Sequence, residues 1–343
     1  MDSFEKLMST PHLDGARKQH YVPRFYLAGF AHKNQLAVFD RRVGTTKLRT
    51  PEHTARINHL YTFEDKQERR RFDIEKMFGY YEDKAAPIIS RIASHERISR
   101  DEREYLTAYL ALSVLRTPAA ISEAKAVHAG FTKARSLLMF STEAGVLRTL
   151  RKMEGPDANE EALRESARKM VKMIRDDAYS VEVDDGFALG ESLKKVDVIG
   201  GAIYPRDWMV LYTRSESESF LTSDTPVVLT TRSSAMRHLP LGYGSAHAQI
   251  LCPIAHNCAI VISGDQGRMG RADITSEALT RFNRTVAADC HRYVFGRDVA
   301  LVKHVTDELQ LASRKWHPKS RVGIGQRVPG SGVWDVFIER TGE

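Results

Sequence analysis

Ile74-Glu-Lys-Met-Phe-Gly-Tyr-Tyr-Glu-Asp-Lys-Ala-Ala-Pro-Ile-Ile-Ser-Arg-Ile92 decides how this chain is read. Ile74, Met77, Phe78, Tyr81, Ala85, Ile88, Ile89 and Ile92 recur at three and four residues, which is the period of one buried helix face. The helical pattern continues downstream. Ser99 with Glu102 has capping-box spacing and opens a helix reaching Leu115 or Arg116. Thr117-Pro118 starts another, which runs to about Phe140, with proline at a position where its missing N–H is no loss. Gly155-Pro156 marks a break. Asp157 with Glu160 then reads as the cap of a helix extending to about Asp177.

The flanks have a different character. Pro23 opens a short helix over Phe25 to Phe30. Gln35–Asp40 alternates like a strand, and Val43-Gly44-Thr45-Thr46 turns it into Lys47-Leu48-Arg49 as a hairpin. Asn58 to Phe63 is a further short strand or turn. Beyond the helical centre, Tyr179–Val183, Trp208–Tyr212, Phe220–Thr230, Gln249–Cys252, Cys258–Ser263 and Arg292–Phe295 read as strands. Phe187–Val198, Thr275–Asp289 and Asp298–Ala312 read as helices. The expected fold class is α+β: an N-terminal hairpin, a central long-helix region, and a C-terminal mixed sheet with helices. One domain is expected over residues 19–297, with 298–343 as a C-terminal helix and basic tail packed on it. A boundary near 155–180 is the alternative.

Composition narrows the class. With 343 residues and 42% hydrophobic content the chain can bury a sizeable core. It contains no apolar run of about 18 residues, so no membrane span is expected. The first residues lack the apolar stretch of a secretory signal, and the three cysteines show no CxxC spacing. Both features point to reduced thiols and a cytoplasmic setting. A net charge of +7 favours an anionic partner, nucleic acid or nucleotide. The bases are dispersed, however, and 44 acids accompany 51 bases, so a solvated basic surface is the alternative. Oligomeric state leaves no mark on the sequence.

Several side chains stand out on chemical grounds. At about 100° per residue from Ile74, Glu82 and Glu75 fall near 80° and 100°, on one shoulder of the apolar stripe. A partly buried carboxylate there needs a partner. The two lie about 10 Å apart along the axis, too far for both to ligate one ion directly. Arg116 falls on the arc of Tyr105, Tyr109 and Leu112. It either locks helices through Glu75 or Glu82, or clamps a phosphate or carboxylate. Ser223 and Asp224 interrupt a strand-rich run ahead of Pro226. Asp224 is a candidate base, metal ligand or arginine partner, or the centre of a turn held by its own hydrogen bonds. His20 is the best titratable candidate, as base, as ligand, or as a donor to a backbone carbonyl. Arg24 and the aromatic residues Tyr21, Phe25 and Tyr26 surround it in sequence. Walker A, GxGxxG, HExxH, GxSxG and zinc-type cysteine patterns are all missing, which disfavours the standard NTPase, Rossmann, zinc-hydrolase and α/β-hydrolase classes.

Four blocks resemble the DUF4238 family, mainly bacterial proteins named for a domain of unknown function. They are Gln19 to Leu27 followed by Phe30, Ile74-Glu75 with Glu82, Arg116-Thr117-Pro118, and Phe220 to Val227. Cys252-Pro253-Ile254 and Asn283 are weaker echoes. Thr225 stands where many members have asparagine. The resemblance spans about 19 to 297 and implies a single unit. It supplies no reaction.

Three functional readings follow from the residues. The first is a metal-dependent phosphodiester hydrolase, nuclease-like, for which bacterial defence against phage is a suitable role. Its catalytic set is His20, Glu75, Glu82 and Asp224, with Arg24, Tyr26, Arg116 and Ser223 binding substrate. A divalent cation such as Mg²⁺ or Mn²⁺ sits on Glu82 and Asp224. The second is a non-catalytic pocket for an anion or nucleotide. The third is a buried polar network that pins the N-terminal segment to the helices.

Overall fold

Alternation and turn chemistry build the N-terminal strands. β1 (Lys18–His20) pairs antiparallel with β4 (Arg56–Asn58). Between them α1 (Arg24–Ala28) follows Pro23 directly. β2 (Leu36–Asp40) and β3 (Thr45–Arg49) form the expected hairpin, turned at Gly44, whose φ of +71° suits a residue without Cβ. β5 (Phe63–Glu64) and β6 (Arg70–Arg71) make a small ribbon. The computed structural model describes residues 9–155, 158–231 and 241–312, and the backbone of 321–327 and 334–339.

The apolar stripe of the opening stretch becomes α2 (Asp73–Ala93), which buries Phe78, Ala85, Ile88, Ile89 and Ile92. Ser99 and Glu102 complete both halves of the capping box of α3 (Arg100–Leu115), which ends at Arg116. α4 (Pro118–Phe140) starts on its proline. α5 (Glu143–Glu154) is capped by Thr142. α6 (Glu160–Arg175) is capped by Asn159, which accepts from the N–H groups of Glu161 and Ala162. The cap expected at Asp157 lies outside the described residues, as does most of the basic tail. α7 (Asp185–Leu193) and α8 (Val196–Ile203) share the span expected as one helix, Phe187–Val198. The chain turns between them at Lys194 and Lys195.

β7 (Asp207–Tyr212), β8 (Thr222–Ser223), β9 (Val228–Thr231), β10 (Ala248–Ala255), β11 (Cys258–Ser263) and β12 (Met269–Asp273) follow. Then come α9 (Ser276–Ala288), β13 (Tyr293–Gly296) and α10 (Val299–Glu308), and β14 (Arg321–Arg327) pairs with β15 (Trp334–Glu339). One sheet runs β12–β7–β11–β10–β9, antiparallel except for β12 on β7. A second runs β3–β2–β13–β8, so the N-terminal hairpin is completed by strands from far along the chain. Tyr293 stands opposite Asp40 there, and Phe295 opposite Thr222. The architecture is α+β, as the sequence pattern implies.

Two strand expectations need correcting. Phe220–Thr230 is no single strand: Thr222–Ser223 joins the four-stranded sheet and Val228–Thr231 the five-stranded one. Thr225-Pro226 carries the chain between them, because proline cannot donate to a ladder. Tyr179–Val183 forms no strand. Its alternate residues are half-buried, so the alternation records contact along one face without a ladder partner.

The chain divides into two compact units, Met1–Ile121 with Leu189–Trp316, and Ser122–Ala188 with His317–Glu343. In the first, Ile88, Ile92, Leu106 and Leu110 of α2 and α3 pack with Trp208, Ile250 and Ile260 of the five-stranded sheet. A further cluster joins Ala37, Phe39, Leu221 and Val294 to Val302 and Val305 of α10. In the second unit, Val146 and Leu147 of α5 meet Leu163, Ala167 and Val171 of α6. Among the described residues no helix is long and apolar enough to cross a membrane.

Candidate functional site

The seven-residue spacing of Glu75 and Glu82 on α2 places both carboxyls beside the buried stripe, and Arg116 answers them from the end of α3. Its Nη1 donates to Glu82 Oε1 at 2.6 Å, and its Nη2 donates to the His20 carbonyl at 2.5 Å. The guanidinium lies 4.3 Å from the centre of the Phe78 ring and 5.7 Å from that of Tyr61. The Tyr61 hydroxyl donates to the Arg116 carbonyl at 2.8 Å. Arg116 is only 2% exposed, so its charge relies on these partners rather than on water. One arginine thus ties the end of β1 to α2 and α3.

Glu75 stands at the edge of this network. Its Oε2 is buried and has no hydrogen-bond partner among the described residues. Burial pushes its pKa up to about 7, with Arg116 opposing and the charge of Glu82 adding. A carboxyl in that state carries a proton about half the time at neutral pH.

His20 is half-buried, and its Nε2 lies 3.1 Å from the Glu52 carbonyl. A carbonyl only accepts, so Nε2 bears the proton and Nδ1 keeps its lone pair. Burial holds the ring's pKa below its ordinary value. The bond to Glu52 opposes that shift, the charge of Arg56 adds to it, and Glu82 works against it. The ring is therefore neutral at neutral pH.

His20, Glu75, Glu82 and Arg116 therefore come together. The other buried candidates make contacts of their own. Asp224 is 3% exposed. Its Oδ1 accepts the N–H of His291 at 2.9 Å and its Oδ2 that of Arg292 at 2.7 Å, where the chain enters β13. Ser223 is fully buried, and its hydroxyl bonds to Thr225. Thr225 Oγ1 donates to the Asp289 carbonyl at 2.9 Å. Tyr26 donates to the Pro253 carbonyl at 2.6 Å and meets Thr222 Oγ1 at 2.7 Å. Arg24 is exposed on α1, with no side-chain hydrogen bond among the described residues. Buried Tyr21 feels the charges of Asp224 and Arg292, and also Tyr61, so the two polar groups adjoin through it.

Sequence reasoning passed over Tyr61, Glu52 and Arg56, which orient or polarise the cluster. It also passed over the Asp40–Arg292 pair, two-pronged at 3.0 and 2.7 Å. Tyr61 gave a faint signal as an aromatic residue in a short strand or turn. The others gave none, because their partners are remote in sequence. Asn283 was a weak echo, and it brackets the entry to β8: it accepts from Leu221 N at 2.8 Å and donates to the Ser219 carbonyl at 2.9 Å.

Both carboxylates suggested for a divalent cation already have protein partners. Glu82 is taken up by Arg116 and Asp224 by two backbone N–H groups. Among the described residues no three His, Cys, Asp or Glu groups are placed to hold a metal ion.

A sequence model of a family described as proteins of unknown function, DUF4238, matches residues 18–300. The chain belongs to the DUF4238 family. No curated protein and no solved structure matches it. Every site candidate of this DUF4238 protein lies inside the matched span, and the Arg116 network joins its first three sequence blocks. The fourth block, around Asp224, anchors β8 and β13 instead.

Proposed function

We propose that this DUF4238 protein is a hydrolase of phosphodiesters, nuclease-like in substrate, working by acid–base chemistry at the Glu75–His20 cluster. One observation carries the reading: a carboxyl with a buried, unpartnered oxygen and a pKa of about 7, joined through the Arg116–Glu82 pair to the segment that bears a neutral imidazole. A carboxyl poised near working pH and an imidazole kept neutral are the groups that general acid–base catalysis requires. His20 Nδ1 would accept a proton from the attacking water, and protonated Glu75 would deliver one to the leaving oxygen. Arg56 and exposed Arg24, in a chain of net charge +7, favour an anionic substrate. Arg116 fixes the His20 main chain to Glu82, and no step is assigned to a metal. A cytoplasmic setting rests on three buried free cysteines, and a role in defence against phage completes the proposal.

The second reading is a purely structural brace, favoured by the engagement of both terminal nitrogens of Arg116 with protein acceptors. Purified protein incubated with DNA and RNA oligonucleotides and bis(p-nitrophenyl) phosphate separates the two, in EDTA and with added Mg²⁺ or Mn²⁺. Turnover that is lost in Glu75→Gln and His20→Ala, with both variants still folded, is expected. Absence of turnover on every substrate, or full turnover by both variants, discards the hydrolase and leaves the brace. Nucleotide binding that raises Tm without turnover leaves an anion-binding protein.

A further inference from the structure

A separate pocket of about 400 Å³ opens beside the start of α3, within the first unit. Its wall includes Arg103, which is 7% exposed. The Arg103 guanidinium lies 4.9 Å from the centre of the Trp208 ring and 5.3 Å from that of Tyr204. Its terminal nitrogens donate to three main-chain carbonyls: Gly267 at 2.8 Å, Tyr204 at 2.7 Å and Arg206 at 2.6 Å. Its Nε is buried and has no partner among the described residues. Carbonyl dipoles orient a buried cation but do not neutralise it.

Three nearby acids are already engaged. Asp207, whose charge acts on Arg103, is paired with Arg268 at 2.9 Å. Glu102 is held by the Ser99 N–H and by Arg91. Glu104 accepts from the Tyr204 hydroxyl at 3.2 Å. Burial correspondingly holds the Arg103 pKa below its ordinary value. A second cation, exposed Arg100, lines the same pocket and donates from Nε to the Tyr204 hydroxyl at 3.1 Å. Ile98, Pro205 and Met269 supply an apolar surface. The volume falls in the range of roughly 300–1,000 Å³ typical of small-molecule sites.

We propose that this pocket binds a small anionic molecule, a carboxylate or phosphate on an apolar body, with Arg103 as its buried counter-charge and Arg100 at the rim. An anion supplies the direct ion pair that no carboxylate among the described residues makes with Arg103, and the apolar residues receive the rest of the ligand. The site is distinct from the Glu75–His20 cluster and does not depend on hydrolysis there.

Calorimetric titration of the full chain tests it with benzoate, phenyl phosphate and, as uncharged control, benzyl alcohol. At least one of the two anions is expected to bind saturably, with benzyl alcohol silent; comparing the anions tells carboxylate from phosphate. Arg100→Ala is expected to weaken binding roughly tenfold, the effect of losing one charged hydrogen-bonding partner. Met269→Trp, on an edge strand, fills the pocket and abolishes binding while Tm holds. Arg103 itself is unsuitable for substitution because it secures three carbonyls. No saturable binding of either anion overturns the proposal, and so does equal binding by the Met269→Trp and wild-type proteins or equal binding of the alcohol.

Discussion

Glu75 is a residue whose burial works against the fold. Its pKa rises from 4.5 to about 7 on folding, because burial penalises the charged form. A carboxyl raised in this way contributes fully below its unfolded pKa, and that contribution is lost as pH climbs through the folded value. The window is therefore pH 4.5 to about 7. Above it the protein carries a half-buried charge opposed by Glu82 and only partly offset by Arg116. Glu75→Gln removes that charge while keeping the shape. The variant is expected to be more stable than wild type at pH 8 by about 2 kcal/mol, discounted for partial exposure. The gain should vanish near pH 4.5. Urea midpoints at the two pH values measure it, and an equal difference at both would show that Glu75 does not titrate in this window. A substitution that stabilises the protein and silences it would mark Glu75 as kept for chemistry.

Two helices and a strand end meet at Arg116, and this contact belongs to the scale of elements. Arg116→Met leaves Glu82 and the His20 carbonyl without their donor and is expected to destabilise by about 3 kcal/mol. Glu82→Gln alone should cost less, since Glu82 is 23% exposed and water can reach it. The double variant should lose less than the sum, with a coupling of about 1–3 kcal/mol. Additive losses would mean that α2 and α3 are held by packing alone. Sequence legibility followed the same scale. The stripe of α2, the Ser99–Glu102 capping box and the β2–β3 hairpin were readable because each is fixed by residues a few positions apart. So was the shoulder position of Glu82, which helical geometry sets. Partners across the chain were not readable. Nothing near Asp224 announces that its carboxylate will receive the N–H groups of His291 and Arg292, and nothing near Asp40 announces Arg292. Those contacts exist only once β13 has inserted between β2 and β8, which no local period encodes.

At the scale of the whole molecule, the two units differ in how much apolar surface holds each together. The first has a five-stranded sheet covered by α2, α3 and α8, with Trp208, Leu106 and Ile250 buried almost completely. The helical pair of the second closes on Val146, Leu147, Leu163, Ala167 and Val171, while Met153 and Met173 stay exposed. Its surface ion pairs, such as Arg151 with Glu160 and Lys169 with Glu165, are solvent-screened and add little. Resistance to local opening follows buried apolar area, so the α5–α6 pair should open well before the sheet. Hydrogen exchange read by mass spectrometry gives a direct comparison. Peptides from 143–154 and 160–175 are expected to exchange at least about tenfold faster than those from 250–262, where β10 and β11 pair in the core. Val171→Ala should speed exchange in the helical pair and leave β10 and β11 unchanged, since the two clusters share no residue. Equal protection of all three segments, or slowed and quickened exchange appearing together in both units, would instead require that the chain open as one cooperative body.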